Sequence, residues 1–175
     1  MVDAEHGSPR APGRWHLNSP FKRRLVRFAL QHGRVVEGNI HVTDGQALAT
    51  FVATRPFVSL TEARWVSPES GVVAHLAVRG DQILWCAALD DALPVSTMQP
   101  PADSPRWAEL TMDDGTVLHV GLYLAAEQRL TDYVDSASGY LPVLQGNIVG
   151  ENRLLGPVAV NKAAILAIRE IEPQP

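Results

Sequence analysis

Apolar and polar positions alternate through Leu25-Val-Arg-Phe-Ala-Leu and again through Trp107-Ala-Glu-Leu-Thr-Met, a two-residue period that predicts strands. Each stretch runs into a turn signal, His32-Gly33 after the first and Asp114-Gly115 after the second. Asp-Gly favours a type I′ hairpin because both central residues need φ > 0, a requirement His-Gly meets less well. The return strands, Val35 to Val42 and Val117 to Leu124, place Val36, Gly38, Ile40 and Val42 on one face and leave Glu37, Asn39 and His41 on the other.

The period then changes. Gln46-Ala-Leu-Ala-Thr-Phe-Val and Gln128-Arg-Leu-Thr-Asp-Tyr-Val carry apolar residues at spacings of three and four, which predicts a short helix of about two turns. Strands follow around Val58 to Val66 and Val72 to Val78, then a break at Arg79-Gly80-Asp81 and a closing strand from Ile83 to Ala88. Leu141 to Val149, Leu154 to Val160, a break at Asn161-Lys162, and Ile165 to Ile171 read the same way. The predicted order is β-β-α-β-β-β, twice.

The two passes coincide in sequence as well as in pattern. A shift of 82 residues sets Gly33, Val35, Gln46, Leu48, Val52, Ala77, Val78, Ile83 and Leu84 on identical residues at Gly115, Val117, Gln128, Leu130, Val134, Ala159, Val160, Ile165 and Leu166. Val36 falls on Leu118, Ile40 on Leu122, Val42 on Leu124 and Phe51 on Tyr133; a one-residue slip pairs Phe57-Val58-Ser59-Leu60 with Tyr140-Leu141-Pro142-Val143. These matches predict a duplication and equivalent buried places for Phe51 and Tyr133.

The expected fold class is therefore mainly β with short helices, a tandem repeat of a small curved-sheet or barrel-like unit, because closing a sheet removes its exposed edges. Units of about 65 residues are marginal alone, and two packed together relieve that weakness. The predicted boundaries are a flexible basic arm at 1–20, a first unit at 21–89, a Pro-rich linker at 90–106 and a second unit at 107–172. Pro94, Pro100, Pro101 and Pro105 resist helix and sheet within that linker.

The stretches Gln128-Arg-Leu-Thr-Asp-Tyr-Val, Tyr140-Leu-Pro-Val and Val160-Asn-Lys-Ala-Ala-Ile resemble a family of small uncharacterised bacterial β-rich domains. That family's pattern is a hairpin, Arg-Leu-Ser-Asp-Tyr-Leu, Phe-Leu-Pro-Leu, and Val-Asn-Lys before a last strand. The second copy follows the pattern over nearly its whole length. In the first, Ala49 and Thr50 replace Ser-Asp, Ser59 replaces the proline, and Arg79-Gly80 replaces Asn-Lys. The resemblance implies fold and bacterial origin, and no activity comes with it. A looser likeness links Gly33-Arg-Val-Val-Glu-Gly-Asn-Ile-His-Val to the first motif of Sm-like RNA-binding barrels; Val120 stands where the second copy would need its Gly38.

Charge is distributed unevenly. Arg10, Arg14, Lys22, Arg23, Arg24 and Arg27 stand against Asp3 and Glu5 in residues 1–28, a formal +4, which leaves −8 on the rest of a chain whose total is −4. An acidic body argues against extensive nucleic-acid wrapping. The lone Cys86 in an apolar run reads as a buried structural thiol, and with no signal-peptide pattern and no apolar run near the roughly 18 residues of a membrane span the chain reads as cytoplasmic. His6, His16, His32, His41, His75 and His119 form no His-x-x-x-His pair, so no metal and no cofactor are expected.

Neither a Gly-x-Ser-x-Gly elbow nor a phosphate-binding glycine loop is present, and Asp113-Asp114, Asp132 and Asp135 suit turns and helix ends. The reading is a non-catalytic interaction or assembly module of a bacterial cytoplasmic complex, its partner another protein and its oligomeric state open. An Sm-like RNA-binding protein and an enzyme with an unrecognised site are the alternatives. Candidate contact residues are Trp15, Lys22, Arg23, Arg24, Arg27 and Trp65: cations leading into the first strand, and two tryptophans in the arm and on a later strand.

Overall fold

The computed structural model describes residues 21–97, 105–125, 127–151 and 154–172; the arm at 1–20, with Trp15, lies outside the described residues. The first hairpin is β1 (Phe21–Leu30) and β2 (Arg34–Thr43), followed by α1 (Leu48–Ala53), β3 (Phe57–Ser67), β4 (Glu69–Arg79) and β5 (Ile83–Ala88). Next come β6 (Arg106–Met112), β7 (Val117–Leu122), α2 (Leu130–Ser136), β8 (Tyr140–Ile148), the two-residue β9 (Leu154–Leu155), β10 (Val158–Asn161) and β11 (Ile165–Ile171). Short 3-10 turns at Gly80–Gln82 and Lys162–Ala164 precede β5 and β11.

All described strands join one antiparallel sheet in the order β11-β6-β7-β8-β10-β5-β1-β2-β3-β4, with β9 added to β8. Within residues 21–88 the order is β5-β1-β2-β3-β4, and within 106–171 it is β11-β6-β7-β8-β10. Cross-strand partners also correspond. Phe28 faces Cys86 as Leu110 faces Ile168, and the irregularity between Ala29 and Leu30 reappears opposite Ile165 and Ala167. Val58 faces Val78 as Leu141 faces Val160. Phe51 and Tyr133 are both buried, one on each helix.

The sheet is open, not a barrel. Pairing of Val158, Ala159 and Val160 with Ala87, Cys86 and Trp85 joins the halves and removes one edge from each, so neither half closes on itself, and β4 and β11 remain as ends.

Alternation at that seam divides the core in two. Ile83 and Cys86 of β5 pack with Val26, Phe28, Ile40, Phe51 and Leu60, whereas Leu84, Trp85 and Ala87 pack with Leu110, Leu118, Tyr133 and Leu141. Across the seam, Ala159 joins the first cluster while Val158 and Val160 join the second. The two cores thus lie on opposite faces of the sheet at its centre, and β5 and β10 serve both. About 1.5–3 kcal/mol per buried large aliphatic side chain makes this shared seam a substantial part of each half's stability.

Three local expectations change. At the Asp114-Gly115 turn only the glycine has positive φ, +88°, while His32 and Gly33 both do, at 64° and 69°. Met112 N donates to Thr116 O at 2.8 Å and Gly115 N to Met112 O at 3.0 Å, so Asp113 adds a third loop residue and the turn ends in a glycine bulge. Gly115→Val still forces a β-branched side chain to positive φ, and a loss of about 1 kcal/mol in chemical denaturation is expected.

The Pro-rich segment is not a plain spacer. Leu93 and Val95 are buried in the first core, and the carbonyls of Pro94 and Val95 accept from Leu48 N (2.8 Å) and Ala49 N (3.0 Å) at the start of α1, satisfying amides a short helix leaves open. Finally, Glu37 and Asn39, placed by alternation on the polar face, are buried.

Candidate functional site

The seam creates a cleft of about 660 Å3 where the carboxyl end of α1, the 3-10 turns before β5 and β11, and the start of β8 converge. Its polar residues include Tyr140, Asn161 and Lys162. Each is committed to backbone. The Tyr140 hydroxyl donates to Gly80 O at 2.9 Å, and Asn161 Nδ2 donates to Ile83 O at 2.9 Å while its Oδ1 accepts from Ala163 N at 3.0 Å. Lys162 Nζ donates to Asp135 O at 3.1 Å, at the end of α2, where carbonyls lack helical partners.

Two of these contacts cross from one half to the other, so the motif acts as a clasp. Burial pushes the Tyr140 hydroxyl well above its ordinary pKa, which keeps it a neutral donor. Among the cleft's acids, Asp81 pairs with Arg79 (Nε–Oδ1 3.1 Å) and Asp113 Oδ2 accepts from Gln31 Nε2 at 3.3 Å. Cys86, beside the seam, is fully buried with Sγ 3.6 Å from Ala159 O, and burial raises its pKa so that it stays a thiol.

Gly80 of the first half, which the 82-residue shift sets on Lys162, is sterically restricted. A Cβ at Gly80 would sit 2.6 Å from Arg55 O, so no lysine fits where the second half carries Lys162. Arg55 takes over, with Nη1 donating to Phe51 O at 2.9 Å and its guanidinium 3.8 Å from the Phe51 ring centroid. Gly80→Ala is expected to lower stability by about 1–3 kcal/mol, read as a reduced melting temperature.

The cations singled out in the sequence do not form a free basic patch. Lys22 pairs with Asp44 (2.7 Å), Arg23 with Glu62, Arg24 with Asp90 (3.2 Å) and Arg27 Nε with Glu37 (2.8 Å). The exposed pairs contribute little, about 0–1 kcal/mol each. Trp65 is half-buried against the first core, with the Arg34 guanidinium 4.2 Å from its ring centroid.

Alternation along β2 did not reveal the importance of Glu37. It also accepts from Arg64 Nη2 at 2.6 Å, so two guanidinium groups flank one buried carboxylate. Burial acts to raise its pKa, but Arg64 and Arg27 outweigh that and hold it below 4.5. The stability it contributes is present above pH 4.5 and is lost as pH falls through the lower folded value. Glu37→Gln should therefore flatten the acid side of a stability–pH profile; an unchanged profile would remove Glu37 as its cause. The register clue was there, since a turn at His32-Gly33 sets Arg27 opposite Glu37.

Among the described residues no three His, Cys, Asp or Glu side chains gather as a metal site, and no helix is long and apolar enough to cross a membrane. Compared with family models, curated proteins and solved structures, the chain matches none.

Proposed function

We propose that the chain is a non-catalytic protein-interaction or assembly module, built from two copies of one β-unit, with the outer edges of the sheet as its contact surfaces. The observation that carries this reading is the β4 end. Residues 69–75 of β4 are exposed along both faces, with Val72 68% and Val73 41% exposed and Phe57 of β3 also uncovered. An apolar edge strand with open backbone groups is a template for another strand. A duplication is supported by the matching residues and corresponding cross-strand partners. A bacterial cytoplasmic setting is part of the proposal and rests on the family resemblance and the lone Cys86.

RNA binding is less well supported, because Lys22, Arg23, Arg24 and Arg27 each have an acidic partner. The two readings separate in one binding experiment. A protein partner should be retained at high salt, lost in Val72→Asp, and kept when the four cations become alanine. Retention of RNA that falls steeply with salt and vanishes in the quadruple variant would replace the proposal.

A further inference from the structure

The seam inside the chain is a head-to-tail junction. It joins the β5 edge of the first half to β10, which occupies in the second half the place β4 has in the first. Such a junction does not close on itself: among the described residues a free β4-type edge remains at one end and a free β5-type edge, β11, at the other. We propose that chains assemble head to tail, β4 of one copy pairing antiparallel with β11 of the next in the register that β10 and β5 already use. This rests on the assembly reading above and commits its partner to a second copy of the chain.

The open ends carry what the seam buries. Leu84 is 2% exposed within the second core, whereas its counterpart Leu166 on β11 is 74% exposed. Tyr140 is 7% exposed and reaches across the seam, whereas its counterpart Phe57 beside β4 is 56% exposed. Shifted by 82 residues, the internal pairs Val158–Ala87, Ala159–Cys86 and Val160–Trp85 become Leu76–Arg169, Ala77–Ile168 and Val78–Ala167.

Backbone phase permits it. Leu76, Ala77 and Val78 face Leu60, Ser59 and Val58 as Val158, Ala159 and Val160 face Val143, Pro142 and Leu141. On the other side, β11 holds β6 in the partnering that β5 holds with β1, irregularity included. The outward N–H and C=O groups therefore recur in the same order. One residue further along, the register sets His75 opposite Glu170. In the junction Leu166 would be covered by the core beneath Leu76 and Val78, and Phe57 by the second core of the next chain.

A head-to-tail contact leaves every open assembly with both kinds of free end, so it grows into longer chains until the two ends meet in a ring. Each chain carries −4, so assembly should strengthen with salt as repulsion is screened, the reverse of nucleic-acid binding.

Sedimentation velocity over a concentration series, with two exposed-residue variants, tests this. Wild type should shift to species larger than a dimer as concentration rises. Leu166→Asp and Phe57→Asp, each folded by circular dichroism, should each weaken association by at least about tenfold and sediment as monomers. Mixed together, they should give a dimer and nothing larger, because only one intact β4 end and one intact β11 end remain per pair. A dimer that survives in either variant alone indicates a symmetric contact and overturns the proposal. A wild-type chain that stays monomeric overturns it too, whether residues 1–20 or another protein covers the edge. In that case, capture of another protein that Val72→Asp abolishes keeps the assembly reading, and its absence removes both.

Discussion

Trp85→Ala should cost about 3–5 kcal/mol and lower the stability of both halves together. Trp85 belongs by sequence to the first half, but it is 3% exposed and packs in the second core. It also pairs with Ala29 on one side and Val160 on the other. Truncation leaves a cavity beside Val158 and Val160 and loosens β10 from β5, so strain is felt on both faces of the seam. Urea unfolding followed by circular dichroism should show a single transition at a lower midpoint. Trp65 and Trp107, one in each half, should report the same midpoint. If the Trp107 midpoint stayed at its wild-type value, the seam would not be a shared core.

Asn161→Ala should be the most damaging polar substitution at the seam, at about 1–3 kcal/mol. The side chain is nearly fully buried and satisfies two backbone groups, Ile83 O in the first half and Ala163 N in the 3-10 turn before β11. Removing it leaves Ile83 O a buried acceptor without its partner, at about 1–3 kcal/mol, and frees the part-buried Ala163 N–H, at an exposed residue, to water at little cost. Asn161→Asp separates the two: it can still accept from Ala163 N but cannot donate to Ile83 O. A loss in Asn161→Asp near that of alanine, measured in the same denaturation assay, assigns most of the effect to the bond that crosses the halves. No loss in either variant would contradict the clasp.

Much of the strand and helix layout was legible because it is local. Two-residue alternation marked β1, β2, β6 and β7, and apolar spacings of three and four marked α1 and α2 to within a few residues. The features that decide the architecture were not local. Leu84 and Leu166 are the same residue in matching sequence positions, yet one is buried and the other exposed, because among the described strands only β5 has a strand beyond it. Residue type cannot encode that difference.

The same limit applies at the site. Glu37 alternated onto the polar face and looked solvated; its burial depends on Arg27 and Arg64 arriving from neighbouring strands. Leu93 and Val95 were hidden among prolines, and their burial depends on α1 needing hydrogen-bond acceptors at its start. Tyr140, Asn161 and Lys162 stood in stretches whose motifs the sequence picked out without a role, and the structure gives those polar groups the work of joining backbone to backbone.

Amide hydrogen exchange at a low and a high protein concentration reads each strand separately and so distinguishes edge-to-edge assembly from an isolated chain. With head-to-tail assembly, amides of β5 and β10, around Trp85–Ala87 and Val158–Val160, exchange slowly at both concentrations. Outward-facing amides of β4 near Leu76–Val78 and of β11 near Ala167–Arg169 should exchange quickly in the dilute sample and slow together in the concentrated one. Fast exchange at the β5–β10 seam, or β4 and β11 rates that ignore concentration, would contradict it.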